Sequence, residues 1–143
     1  MDNNLNTTID IGGFKVKFNL DHGLFLFRNI SGMGKSYLCD LIRDNKSIFK
    51  NEYVTYEYAD YIDNVDLSAK IGDTTKVIIV DRYDQMNLKH IDTINSFAEK
   101  GIVLLDLKVL PQKRIFRRPY KLARISIEQD CMEVKTCGIH IRR

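Results

Sequence analysis

The sequence predicts an α/β fold: a mostly parallel sheet with flanking helices, and antiparallel hairpins near both termini. Three observations carry this. Short, wholly apolar runs recur at Leu24–Phe27, Val77–Val80 and Ile102–Leu105, the pattern of strands buried on both faces. Stretches with helical spacing lie between them. Alternating stretches flank the set near both ends of the chain, as hairpin strands with one wet face require.

Taken in order, Thr8-Ile9-Asp10-Ile11 and Phe14-Lys15-Val16-Lys17-Phe18 alternate about Gly12-Gly13 and read as a hairpin. His22-Gly23 turns the chain into the strand Leu24-Phe25-Leu26-Phe27. Further on, Tyr37, Leu38, Leu41 and Ile42 fall at helical spacing, with Asp40, Arg43 and Asp44 on another face and an end at Asn45-Lys46. Tyr53 to Tyr58 alternates with β-favouring residues and predicts a strand. Tyr61, Ile62, Val65 and Ala69 predict a short helix ending near Gly72. After the buried strand Val77–Val80, the residues Leu88, Ile91, Ile94, Asn95 and Ala98 predict a helix, with Gly101 as its C-cap. Ile102–Leu105 is the next buried strand. Ala123–Ile127 and Met132–Val134 predict a hairpin around Gln129-Asp130, and Ile139 to Ile141 a last strand.

A length of 143 residues suits one domain, 1–143, with a core of its own. No apolar run approaches the roughly 20 residues of a membrane span. Met1-Asp2-Asn3-Asn4 lacks the basic and apolar regions of a signal peptide. Three cysteines without framework spacing suit a reducing compartment. The expectation is a cytoplasmic protein with no membrane partner. Cys131, Cys137 and His140 lack a fourth ligand and a paired C-x-x-C, so thiols packed in strands explain them better than a metal. Charge is uneven. Seven bases and no acid fall between Lys108 and Arg124, leaving 15 bases against 19 acids in the rest. Glu52, Glu57, Asp60, Asp63 and Asp66 form an opposing acidic block. Such asymmetry points to an interaction surface, or to attraction between the two blocks within the fold.

The chemistry concentrates in Asn29-Ile30-Ser31-Gly32-Met33-Gly34-Lys35-Ser36. These residues follow the phosphate-binding pattern G-x-x-x-x-G-K-[ST], with Asn29 in place of the first glycine. Gly34 lets the backbone approach phosphate oxygens, Lys35 reaches the β- and γ-phosphates, and Ser36 offers a hydroxyl to Mg²⁺. Asn29 suits the bend because Asn tolerates positive φ. The helix that follows would turn the N–H groups of its first turn, Tyr37 included, and its positive dipole end toward the phosphates. Strand Val77–Val80 ends at Asp81, whose carboxylate would emerge at the C-terminal edge of a parallel sheet and share a Mg²⁺ shell with Ser36. The nucleotide-binding candidates are therefore Asn29 through Tyr37, and the metal candidates Ser36 and Asp81.

Over roughly Leu24 to Asp106 these features resemble the P-loop NTPase superfamily. A hairpin running into strand, loop and helix is similar to an ABC-type or SMC-type ATPase head, while the close spacing of Lys35 and Asp81 is more like a minimal AAA+ core. The resemblance implies binding of ATP or GTP with Mg²⁺. Its hydrolytic residues are not carried over: Arg82 stands where a Glu usually follows the Walker B Asp, and Asp84 is the candidate base. The chain has no Leu-Ser-Gly-Gly-Gln signature and no room for an AAA+ lid. Turnover is expected to be weak, or completed by a homo-oligomer or protein partner. Asp81-Arg82-Tyr83 also resembles the Asp-Arg-Tyr motif of thymidylate-kinase-like P-loop kinases, which implies Arg82 near a transferred phosphoryl group and Arg114, Arg117 and Arg118 as a lid. A third reading is a degenerate P-loop module that contacts nucleic acid or protein through the basic 108–124 segment. There Lys113, Arg114, Arg117, Arg118 and Lys121 interleave with Ile115, Phe116, Pro119 and Tyr120.

Overall fold

The computed structural model describes residues 4–27, 34–81, 90–106 and 119–138. Its elements, in chain order, are β1 (Leu5–Ile11), β2 (Phe14–Leu20), β3 (Gly23–Phe27), α1 (Lys35–Asp44), α2 (Lys46–Phe49), β4 (Tyr53–Tyr56), α3 (Tyr58–Ile62), α4 (Leu67–Lys70), β5 (Val77–Val80), α5 (Ile91–Ala98), β6 (Ile102–Leu105), β7 (Lys121–Glu128) and β8 (Cys131–Gly138). All of these strands join one sheet in the order β1-β2-β8-β7-β3-β6-β5-β4. The pairs β1/β2 and β7/β8 are antiparallel. The seam β2/β8 is parallel, as are β7/β3, β3/β6, β6/β5 and β5/β4.

This corrects the expected architecture. The mostly parallel sheet with flanking helices and separate terminal hairpins gives way to a single mixed sheet with few helices, and the P-loop NTPase-like fold is set aside with it. Among the described residues only α1 and α5 reach eight residues. The physical reason lies in the C-terminal hairpin. One of its strands pairs with β3 and the other with β2, so it stitches the N-terminal hairpin into the same sheet. Alternating burial marks a strand as one-faced, but it does not name the neighbour that strand takes.

Successive strand residues point to opposite faces, and two cores result. On one face Phe25, Phe27, Val77, Ile79, Ile102 and Leu104 meet Leu38, Cys39 and Ile42 of α1 and Phe49 of α2. That core continues under the hairpins through Val16, Phe18, Met132 and Val134. On the other face Leu24, Leu26, Ile78, Val80, Val103 and Leu105 meet Leu67 of α4 and Ile94, Phe97 and Ala98 of α5.

Local chemistry explains where several elements differ from expectation. β4 stops at Tyr56 because Glu57 opens α3 with a capping box: the Asp60 carboxylate accepts from the Glu57 backbone N–H at 2.8 Å, and the Glu57 side chain accepts in return. The one short helix expected between Tyr61 and Ala69 is split in two, and Asp66 caps the second by accepting from the Ser68 N–H at 3.2 Å. α1 ends at Asn45, as its sequence suggests, but the chain adds the single turn α2 before β4. Leu88 and the strand expected at 139–141 lie outside the described residues. No helix among the described residues is long and apolar enough to cross a membrane.

Candidate functional site

The parallel strands β3, β6, β5 and β4 run in register and end at one edge of the sheet. Just past their ends stand Asp106 after β6, Asp81 after β5 and Glu57 after β4. Two backbone hydrogen bonds hold this row: the Asp106 N–H donates to the Val80 carbonyl and the Asp81 N–H to the Tyr56 carbonyl, both at 2.9 Å. The Tyr61 hydroxyl donates to the Asp81 carbonyl at 2.5 Å and anchors it from α3. Three carboxylates thus line the mouth of strands buried on both faces.

Helix α1 begins at the same edge. Its N-cap is Gly34, at φ 94°, a left-handed conformation that glycine adopts at little cost. The position is also crowded, since a Cβ there would lie 2.8 Å from Cγ2 of Ile125 on β7. Gly34 accepts the first helical bond, from the Leu38 N–H at 2.8 Å. It has no side chain with which to satisfy the N–H groups of the first turn, and that turn holds no acidic residue. These are the attributes of an anion-facing helix start.

Lys35, the first residue of α1, places its Nζ 2.6 Å from Oδ1 of Asp106. The two side chains keep only 13% and 10% of their exposure. Ser36 and Asp81 both line a cleft of about 960 Å³ whose walls include Asp40 and Arg43 of α1, Thr55 of β4, and Glu57. The buried thiol of Cys39 on α1 reports the local field: burial first, then the charges of Glu57, Asp81, Asp40 and Asp106, push its pKa well up. Carboxylates therefore gather near the start of the helix; Lys35 pairs with Asp106, and Arg43 with Asp40 and Glu57.

The structure brings together Gly34, Lys35, Ser36 and Asp81 of the sequence-derived candidates. Tyr37 follows in the first turn of α1, and its ring packs edge-on to Phe14 of the N-terminal hairpin at 5.9 Å. Asn29, Ile30, Ser31, Gly32, Met33, Arg82 and Asp84 lie outside the described residues, as do Lys113, Arg114, Arg117 and Arg118. Lys121, the described member of the basic segment's nucleic-acid set, is engaged within the fold. It donates to the His22 carbonyl at 3.4 Å, lies 3.7 Å from Asp21, and sits over the Phe25 ring. Within the acidic block, Glu57 pairs with Arg43 at 3.1 Å and Asp60 with Lys70 at 2.9 Å.

Among the described residues no group of three or more His, Cys, Asp or Glu side chains is placed to hold a metal by itself. Ser36 and Asp81 offer two oxygen ligands, the share a protein commonly supplies to Mg²⁺ when substrate phosphates and water complete the shell. Cys131 and Cys137 lie in β8 and form no disulfide among the described residues. Asp106 is the residue that sequence reasoning missed. Its signal was present, because Ile102-Val103-Leu104-Leu105-Asp106 repeats the pattern of Val77-Ile78-Ile79-Val80-Asp81: four apolar residues and an aspartate. No family model matches the chain, and no curated protein matches it.

Proposed function

We propose that the protein binds a nucleoside triphosphate, ATP or GTP, together with Mg²⁺ at the head of α1. The observation that carries this reading is the placement of Lys35. Its ammonium stands at a helix start opened by left-handed Gly34, with Ser36 and Asp81 on one cleft beside it. An ammonium and helix-start N–H groups attract phosphate oxygens, and a hydroxyl with a carboxylate suits a hydrated Mg²⁺. The proposal concerns this site and its ligand, on a mixed sheet. Arg82 supports weak turnover, or turnover completed by a partner, since a guanidinium cannot accept a proton from attacking water.

Titration calorimetry of wild type, Lys35→Ala, Ser36→Ala and Asp81→Ala with ATP and GTP, with and without Mg²⁺, tests it. Lys35→Ala should weaken binding at least about tenfold, because a charge-assisted contact contributes roughly 1.5–3 kcal/mol. Ser36→Ala and Asp81→Ala should each reduce the gain that Mg²⁺ gives. Identical traces for wild type and Lys35→Ala would remove the proposal. Undiminished Mg²⁺ dependence in both other variants would remove the metal assignment.

A further inference from the structure

We infer that Asp106 is an internal competitor for phosphate: it occupies the Lys35 ammonium in the ligand-free protein and so sets the affinity and the Mg²⁺ requirement of the site. This rests on the phosphate-binding reading of Lys35 given above. The pair is short, at 2.6 Å, and both side chains are almost withdrawn from solvent. In such a setting a lone charge is costly, so neither partner gives up the other without a replacement. A phosphate oxygen is that replacement for Lys35, and binding then consists of handing the ammonium from carboxylate to phosphate.

The two partners differ in freedom. Asp106 directly follows β6, a strand buried on both faces and flanked by β3 and β5, and its own N–H is bonded to the Val80 carbonyl at 2.9 Å. Its backbone is held in place. Lys35 reaches from the first turn of α1 on a flexible four-carbon stem. Lys35 is therefore the partner that moves. Once it moves, Asp106 faces the incoming polyphosphate without its cation, in a row that already holds Asp81 and Glu57. Like charges at close range are unfavourable, and more so in a poorly solvated setting. A cation must enter with the phosphates, which makes Mg²⁺ a condition of binding in the wild type. Asp106→Asn removes one negative charge and frees Lys35 in one step.

The test is calorimetry with inorganic tripolyphosphate and with ATP, each with and without Mg²⁺, on wild type, Asp106→Asn, Asp106→Glu and Lys35→Ala. Asp106→Asn should bind metal-free tripolyphosphate at least about tenfold more tightly than wild type, the effect of returning an unpaired ammonium to the ligand. The gain from Mg²⁺ should shrink by a similar factor. Asp106→Glu retains the charge and should stay within about threefold of wild type, a shift well below the tenfold step. A purely structural role for Asp106 would weaken binding in both variants. If wild type binds in a Lys35-dependent way and Asp106→Asn binds no more tightly, the competitor role fails while the phosphate site stands. If neither wild type nor Asp106→Asn binds at millimolar ligand, both fail. Should Asp106→Asn not fold, the wild type alone decides: the carboxyl carbon resonance of Asp106 should move on saturation with Mg²⁺-tripolyphosphate, and an unmoved resonance overturns the inference.

Discussion

The hairpin half of the sheet and its parallel half follow different physics. β1 and β2 alternate between covered and wet positions, so one face of each is packed and the other meets solvent, and β7 is exposed over its last three residues. β3, β4, β5 and β6 are buried at every residue, with α1 on one face and α5 on the other. Acidic residues gather at the ends of the second group. A strand buried on both faces offers charged groups most readily where it stops, and Asp106, Asp81 and Glu57 are the residues that follow those stops. The hairpin half reaches the site mainly as packing, with Ile125 of β7 pressed against Gly34.

The largest effect that this contrast predicts is on stability. Phe25 in β3 is fully buried, whereas Ile127 in β7 is 42% exposed. Phe25→Ala should lose about 3–5 kcal/mol, as aromatic truncations in packed cores do. Ile127→Ala should lose no more than about 0.5 kcal/mol, as surface changes do. Urea unfolding of both variants measures it. Comparable losses would erase the distinction between the halves.

A smaller effect falls where the halves meet. Gly34→Ala would place a Cβ 2.8 Å from Ile125 and hold alanine at φ 94°. The backbone conformation alone costs about 1–3 kcal/mol, and the clash adds to it. In an Ile125→Ala background the clash is relieved and the conformational cost remains. Gly34→Ala should therefore be less damaging there than in the wild type. Equal losses in the two backgrounds, read from denaturant midpoints, would show that β7 does not support the start of α1.

What the sequence disclosed follows the same division. The fully apolar runs were legible as strands because burial on both faces leaves no other composition. The hairpins were legible as pairs, since Gly12-Gly13 and Gln129-Asp130 mark the turns. Their place in the sheet was not, because the contact of β8 with β2 and of β7 with β3 joins residues about a hundred positions apart through backbone groups that every residue shares. The site was partly legible. Lys35 and Ser36 follow Gly34 in a pattern that needs no partner to be seen. Asp81 is marked by the apolar strand before it, and Asp106 carries the same signal at the end of β6. The pairing of Lys35 with Asp106 spans the whole core and has no local trace. Two members of the acidic block pair with bases on neighbouring helices, Glu57 with Arg43 and Asp60 with Lys70, and no local pattern in the sequence marks those pairs.

The smallest effect is a pH dependence confined to the parallel half. Burial, with a lesser contribution from the charge of Glu52, pushes the Tyr53 phenol from 10.0 to about 12. Tyr53 begins the edge strand β4, and neither hairpin contains a tyrosine. Between pH 10 and about 12 the unfolded chain has released this proton while the folded chain retains it. The unfolded state then binds fewer protons, so stability falls as pH rises through that window and is complete below it. Tyr53→Phe keeps the ring that packs on Phe18 and Phe49 at 4.9 and 5.4 Å and removes the ionisation. Its melting temperature should match the wild type near neutrality and decline less steeply above pH 10. Some slope should persist, because burial also raises the pKa of Tyr56, whose hydroxyl donates to the Val65 carbonyl at 2.6 Å. An identical alkaline decline in wild type and Tyr53→Phe would place the titrating group elsewhere and detach this edge strand from the alkaline unfolding of the fold.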